Sequence, residues 1–366
     1  MSHKLRIGIV FGGRSAEHEV SLQSAQNVIA NLDRDRFEPV LIGIGRDGSW
    51  SLSPDGQPFL DRDDPATVRI DDSPTDVALL AGETHGRLVR LPESGPIDRL
   101  DVLFPVLHGP YGEDGSIQGL ARLANVPCVG PDILGSAVGM DKDVSKRLLR
   151  YAGIATAEYL AIRRASYRPE AIEEVVAQIG FPAFVKPANM GSSVGVSRVT
   201  TADRLQAAID EAFAFDSKIL VERGVVGREI ECAVLGNDDP IASAIGEILP
   251  ADGFYSYEAK YLDENGAALR IPAELTDRIA DRVRRTAIAA FDTLELSGMA
   301  RIDMFLTADD TIVVNEANTI PGFTNISMYP RLWQESGLSY TQLISRLIDL
   351  AIESYRRQSG LETKRR

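Results

Sequence analysis

The sequence predicts an α/β protein of two or three domains. Three observations lead there. At 366 residues the chain is too long for one ordinary hydrophobic core. In its first third, short apolar strands run into glycine-rich loops that open onto helices, the layout of an open sheet with ligand loops at its carboxyl edge. Its last third holds two apolar runs, Met299 to Leu306 and Thr311 to Glu316, around the polar turn Thr307-Ala308-Asp309-Asp310, which reads as a β-hairpin.

Taken in order, Leu5 to Phe11 is a strand followed at once by Gly12-Gly13, and a helix is predicted from about Ser15 to Asn31 with Ser15 as its cap. Such a corner favours anions. The G-x-G-x-x-G fingerprint is missing, which excludes a dinucleotide cofactor site. Glu17 stands at the mouth of the turn, where by itself it reads as a carboxylate complementing the helix dipole. Phe37 to Ile44 is a second strand. Residues 46–98 are irregular, rich in Asp, Pro, Gly and Ser, an excursion of loops and short strands. Strand Asp101 to Leu107 ends in His108-Gly109-Pro110-Tyr111-Gly112-Glu113-Asp114-Gly115, with a helix from near Ser116. His108 is either a ligand contact or a structural histidine.

From Asp141 the pattern changes. Helices are predicted over Asp143–Tyr151 and Pro169–Ile179, then strands Ala183–Lys186 and Val194–Val199 around a glycine- and serine-rich loop. A strand follows that loop, and no Gly-Lys-Ser/Thr ends it, so it is not a P-loop. It reads either as a phosphate cover above Lys186 or as an ordinary hairpin turn. Helix Ala202–Phe213 leads to strand Lys218–Glu222 and strand Arg228–Leu235, with Glu229 and Glu231 on a face read as solvated. Ala251 to Leu262 mixes four aromatics with Asp252, Glu258 and Lys260 and reads as a lid. Helix Glu274–Leu296 delivers the chain into the hairpin, and a last helix is predicted over Tyr340–Arg357.

Strand residues alternate faces. With Leu306 opposite Thr311, Arg301 lies opposite Glu316 and Asp303 opposite Val314. One face then collects Arg301, Asp303, Glu316 and Asn318, while Ile302, Met304 and Val313 fill the other. Two carboxylates and an amide oxygen are hard ligands suited to Mg²⁺. The alternative is a structural Arg–carboxylate pair.

Composition narrows the setting. Hydrophobic residues make up 44% and charged ones 25%, and the net charge is −14, which disfavours nucleic acid and anionic membranes as partners. Cys128 and Cys232 stand far apart, as two buried thiols in a reducing compartment. No apolar run approaches the roughly 20 residues of a membrane span. MSHKLRIGIV lacks the features of a signal peptide, so a cytoplasmic protein is expected.

Five segments, GGRSAEHEVSL at 12–22, HGPYGEDGSIQG at 108–119, KPANMGSSVG at 186–195, YEAKY at 257–261 and RIDMF…NEANTIPGFT at 301–324, together resemble the D-alanine–D-alanine ligases of the ATP-grasp fold. The resemblance covers nearly the whole chain. It implies a three-domain ATP-grasp architecture: an N-terminal open parallel α/β domain at 1–130, a central domain at 131–222 and a C-terminal domain at 223–366, the last two clasping ATP. It implies ligation of two D-alanines through an acyl phosphate for peptidoglycan precursors, with ATP and two Mg²⁺ (or Mn²⁺), in a homodimer.

Residue by residue, the resemblance gives Lys142 and Lys186 to the α and β phosphates and the loop from Gly191 through Ser192 and Ser193 to Gly195 as their cover. Glu222 faces adenine with Val225 beside it, Glu229 the ribose, and Lys260 the γ phosphate. Asp303, Glu316 and Asn318 hold the metals. Glu17 takes the ammonium of the first D-alanine and joins Ser192 and Tyr261 in a hydrogen-bonded triad; His108 contacts substrate, and Ser327 holds the second D-alanine's carboxylate. Arg301 and the N–H of Gly322 face the oxyanion. Two departures from the commoner short form stand out: the excursion at 46–98, and Gly224 where a bulky side chain is expected. The alternatives are a non-catalytic nucleotide-binding regulator, against which the intact metal set argues, and a ligase of another D-amino acid, of D-lactate or of another carboxylate–amine pair.

Overall fold

The computed structural model describes residues 4–52, 75–82, 86–91, 96–250 and 267–362. Three sheets order it. In the first, β1 (Leu5–Gly12) runs parallel to β2 (Phe37–Ile44) and to β7 (Val102–Pro105). The 46–98 segment supplies β3 (Trp50–Leu52), β4 (Thr75–Leu79), β5 (Arg87–Arg90) and β6 (Pro96–Arg99), which extend the edge antiparallel in the order β6-β5-β4-β3-β2-β1-β7. The β2-β1-β7 centre is the expected open parallel α/β sheet, and the strands of the 46–98 segment are an antiparallel addition to its edge. Buried on both faces, those strands are apolar nearly throughout.

Helix α1 starts at His18 and ends at Ala30, later than predicted, because Glu17 and not Ser15 occupies the cap position. Ser15 Oγ accepts from the N–H of Glu17 at 3.1 Å and shapes the turn before the helix. α2 (Ser116–Leu123), α3 (Ile133–Met140) and α4 (Lys142–Tyr151) follow. Asp141 caps α4 by accepting from the N–H groups of Asp143 and Val144.

The second sheet is antiparallel, in the order β10-β9-β11-β8: β8 (Tyr159–Arg163), β9 (Ala183–Pro187), β10 (Ser197–Val199) and β11 (Lys218–Arg223). α5 (Ala171–Gln178) and α6 (Leu205–Phe215) cover one face through Val175, Leu205 and Ile209. The third, also antiparallel, is β14-β13-β12-β15-β16, with β12 (Arg228–Gly236), β13 (Ile241–Pro250), β14 (Ala267–Arg270), β15 (Gly298–Leu306) and β16 (Ile312–Asn318). On one face lies α7 (Asp277–Thr293), whose Val283, Ala287 and Phe291 pack on Ile302 and Met304. Its other face joins α8 (Met328–Glu335) and α9 (Tyr340–Ser359) in a core that continues into β1 and α1.

The hairpin forms with another register than the sequence suggests. Leu306 pairs with Ile312 and Met304 with Val314; then the ladder shifts, so that Asp303 pairs with Glu316 and Arg301 with Asn318. Asn315 is the extra residue of a β-bulge. Val314, not Val313, therefore joins Ile302 and Met304 in the core under α7.

Candidate active site

The bulge sets the central geometry. It puts the Asp303 and Glu316 carboxylates directly opposite each other, a pairing that repels unless cations intervene. Cations do. Arg301 grips Asp303 with two hydrogen bonds, Nε to Oδ1 at 2.7 Å and Nη2 to Oδ2 at 2.8 Å, and Nε also lies 2.9 Å from Glu231. Lys142 Nζ lies 3.3 Å from Glu316 and donates to the carbonyl of Met190 at 2.7 Å. Asn318 Nδ2 donates to Asp303 at 2.9 Å. Glu231, which the sequence places on a solvated face, is 5% exposed; its carboxylate is the second counter-ion of Arg301.

Fitness for a metal follows from the donor set. Among the described residues no three of His, Cys, Asp or Glu converge as a cluster that could hold an ion. What β15 and β16 offer is two opposed carboxylates and one amide, too few to enclose a cation. They fit a Mg²⁺-type ion that keeps most of its shell as water and phosphate oxygen.

Beneath this site the structure assembles charges that the sequence left apart. Lys186 Nζ lies 2.6 Å from Glu222, and Lys146 Nζ lies 3.2 Å from the other oxygen of the same carboxylate. Lys146 also donates to the carbonyl of Asn315 at 3.1 Å, and Lys186 to its side-chain oxygen at 3.4 Å. The bulge exposes Asn315 to both lysines. Burial pushes Lys146 down to about 8 despite Glu222. For Glu222 burial acts upward, but the two lysines outweigh it and hold the carboxyl below its usual range. Lys146 and Asn315 escaped the sequence reading; the signal for Lys146 was its place one helical turn after Lys142.

The glycine-rich loop leaves β9 and is tied at its start by Asn189, whose N–H and Nδ2 both donate to Asp216 at 2.9 Å. Ser192 and Ser193 take φ of 49° and 59°, a left-handed backbone that L-residues avoid. That turn lets Ser192 Oγ donate to the Glu17 carboxylate. Gly191 is needed there, since a Cβ would sit 2.8 Å from Glu17 Oε2. Glu17 thus binds across from α1 to the phosphate-loop candidate, and its helix-dipole role is secondary. Gly224 has its own reason: a Cβ would come within 3.0 Å of the Pro182 carbonyl. Val225 is half-buried beside it, and Glu229 half-buried at the start of β12.

A third group of contacts surrounds the loop after β16. His108 is 4% exposed, with Nδ1 3.1 Å from the Ile320 carbonyl and Nε2 3.3 Å from Ser24 Oγ. Burial pushes its imidazole down, so the neutral ring donates from Nδ1 and accepts at Nε2. Ser24 Oγ also accepts the N–H of Phe323 at 3.1 Å. Glu113 accepts from Gly109 N–H at 2.8 Å and from Ile320 N–H at 3.0 Å. Burial, with Glu17 adding to it, pushes the Glu113 carboxyl up to about 7. Gly322 lies against Ser327, whose Oγ would be 2.8 Å from a Cβ at 322 and accepts the N–H of Thr324 at 2.9 Å. Lys260, Tyr261 and the lid segment lie outside the described residues.

Chemically, the arrangement is a carboxylate pair with paired lysines, a strained glycine-rich loop and a clamped loop of backbone N–H groups. Comparison with known proteins gives it a context. A model described as the D-ala D-ala ligase N-terminus matches residues 6–131, and one described as the D-ala D-ala ligase C-terminus matches residues 148–349. The chain is 52% identical over 360 residues to the D-alanine–D-alanine ligase of Shouchella clausii, covering 98% of each. It is 52% identical over 360 residues to D-alanine–D-alanine ligase A of Escherichia coli K12, covering 98% of this chain and 99% of that one. Among solved structures, the D-alanine-D-alanine ligase from Coxiella burnetii superposes with a TM-score of 0.86 at 36% identity, over 98% of this chain and 97% of that one. The VanG D-Ala:D-Ser ligase from Enterococcus faecalis gives 0.83 at 35%, over 95% and 100%.

Proposed function

We propose how the described residues carry out the reaction of the family to which this chain belongs, the D-alanine–D-alanine ligases. The chain is an ATP-dependent ligase of ATP-grasp fold that makes D-alanyl-D-alanine for peptidoglycan synthesis. The first D-alanine's carboxylate attacks the γ-phosphorus of ATP, forming an acyl phosphate and releasing ADP. The second D-alanine's amine attacks the carbonyl carbon; a C–N bond forms, phosphate leaves with the C–O electron pair, and the amine gives up its proton.

The observation that carries the assignment of roles is the opposed Asp303–Glu316 pair with Arg301 and Lys142 drawn onto it. Asp303, Glu316 and Asn318 would hold two Mg²⁺ (or Mn²⁺) through hard oxygens. Such ions would neutralise charge on the transferring phosphoryl group. Lys142 and Lys186 take the α and β phosphates, and the loop from Gly191 to Gly195 covers them. Glu222 faces the adenine amino group while its carboxylate also pairs with Lys186 and Lys146; Val225 lines the base and Glu229 takes the ribose. Glu17 receives the first D-alanine's ammonium, with Ser192 fixing the carboxylate. Arg301 and the Gly322 N–H stabilise the oxyanion, and Ser327 takes the second D-alanine's carboxylate. His108 contributes by holding the Ile320 loop that lines the site.

The three domains are 1–130, 131–222 and 223–366, a reading supported by three sheets that follow one another along the chain, β11 of the second ending at Arg223 beside the last boundary. The family resemblance suggests a cytoplasmic homodimer. Among the described residues no helix is long and apolar enough to cross a membrane. The test is phosphate release and product mass with ATP, Mg²⁺ and a panel of D-alanine, L-alanine, D-serine and D-lactate. D-alanine should give one phosphate per dipeptide. Phosphate release indifferent to D-alanine would refute the reading.

A further inference from the structure

We propose that Glu113 is the positioning residue that sets the loop carrying the Gly322 N–H, by accepting the N–H groups of Gly109 and Ile320 on the two oxygens of one buried carboxylate. This rests on the functional reading above, in which that loop faces the oxyanion.

The geometry is specific. The two peptide groups flanking Ile320 are both held: its N–H donates to Glu113 Oε1 at 3.0 Å, and its carbonyl accepts from His108 Nδ1 at 3.1 Å. Glu113 Oε2 takes the N–H of Gly109, the residue after His108, at 2.8 Å. The backbone closes the same turn, with Glu113 N–H donating to the Gly109 carbonyl at 3.0 Å. One carboxylate therefore fixes the histidine loop and the oxyanion loop relative to each other, across 207 residues of chain. Thr319 adds its Oγ1, which donates to the Glu113 carbonyl at 3.4 Å, and Phe323 N–H is held by Ser24. Two residues on, with the peptides on either side tied down, the Gly322 N–H has little freedom to drift.

The residue type matters. A carboxylate presents acceptors on both oxygens, whereas a glutamine must turn its NH₂ toward one of the two N–H groups. Keeping a carboxyl here is costly, since the group is buried and lies near Glu17. Core packing alone needs no such group. Within the site a misplacement of about 1 Å costs on the order of 10²-fold in rate.

The test compares wild type, Glu113→Gln and Glu113→Ala in the full chain, above the value of about 7 to which the carboxyl is pushed so that it is ionised, reading kcat for dipeptide formation and the dissociation constant of Mg-ATP by calorimetry. We expect kcat to fall on the order of 10²-fold in both variants with ATP affinity within about threefold of wild type, the mark of an interaction made at the reacting centre. The isosteric Glu113→Gln is decisive: if the residue merely fills space, that variant keeps wild-type kcat, and the proposal falls. It falls too if kcat and ATP affinity collapse together, which would make Glu113 a general scaffold residue. Should Glu113→Ala fail to fold, Glu113→Gln carries the test alone. Wild-type protein that makes no dipeptide would overturn the functional reading and this inference with it; an active wild type with an unimpaired Glu113→Gln overturns only the inference.

Discussion

Lys146 is 1% exposed yet bears a charge, and its surroundings explain why it is kept. Glu222 has two lysines for one carboxylate, so the cluster retains a positive charge next to the site given to the phosphates. Removing Lys146 leaves Glu222 with a single partner, and breaking a buried pair costs about 3–5 kcal/mol. Lys146→Met should therefore lower the melting temperature. It should also weaken ATP binding by about tenfold, or about 1.4 kcal/mol, because Lys186 is then drawn further onto Glu222; calorimetric titration with ATP reads this directly. An unchanged ATP affinity would detach Lys146 from the nucleotide site. Glu113 makes a second residue-level prediction. Its carboxyl ordinarily titrates near 4.5 and is pushed up to about 7 by burial and by Glu17, with Lys142 and its two backbone donors opposing. Between those values the folded chain binds the extra proton, so the contribution present below pH 4.5 is lost as the pH rises through 7. The stability of Glu113→Gln relative to wild type should rise across that window. Melting curves at several pH values check it, and a flat difference would mean the carboxyl titrates normally.

At the scale of elements, the hairpin of β15 and β16 carries the residues proposed for the metal and the oxyanion. Its existence was legible, because two apolar runs around a polar turn have few other outcomes. Its register was not. The bulge at Asn315 converts a diagonal pair of carboxylates into an opposed one, and the bulge is held by Lys146 and Lys186 from distant elements. No local pattern encodes those contacts. Opposed carboxylates make a clear prediction. Asp303→Asn and Glu316→Gln should each shift the Mg²⁺ dependence of activity to higher concentration, since each removes a charged hard ligand. A Mg²⁺ titration with an unmoved midpoint would exclude that residue from the metal site. The glycine-rich loop shows the same division: the sequence left two readings open, a phosphate cover or a hairpin turn, and only the fold brings Ser192 onto Glu17 across 175 residues of sequence separation.

For the molecule as a whole, the main core ignores the sequence order. Phe323 is fully buried, meets Phe104, Tyr329 and Tyr340 at ring distances near 6 Å, and joins β1 and α1 to α8 and α9. A fragment of residues 1–130 thus exposes the apolar faces of Leu22, Val28 and Phe104 that those helices cover. Each such side chain is worth about 1.5–3 kcal/mol when buried. The fragment should fail to show a cooperative melt, by circular dichroism and limited proteolysis, where the full chain shows one. A fragment that melts cooperatively would mean the first sheet is stable without its C-terminal cover.

By itself the sequence determined the class of fold and much of the strand and helix content around each motif, which follow from periodicity and turn chemistry acting over a few residues. Its motifs, through the family they resemble, also pointed to ATP and a carboxylate substrate. Tertiary structure alone decided which charges meet. Arg301 finds Glu231 from a neighbouring strand, Lys146 and Lys186 share Glu222, and Glu113 reaches Ile320. Buried ions and backbone donors must be satisfied by whatever the packed chain brings within about 3 Å. That distance is set by the sheets and by one bulge, not by the spacing of residues along the chain.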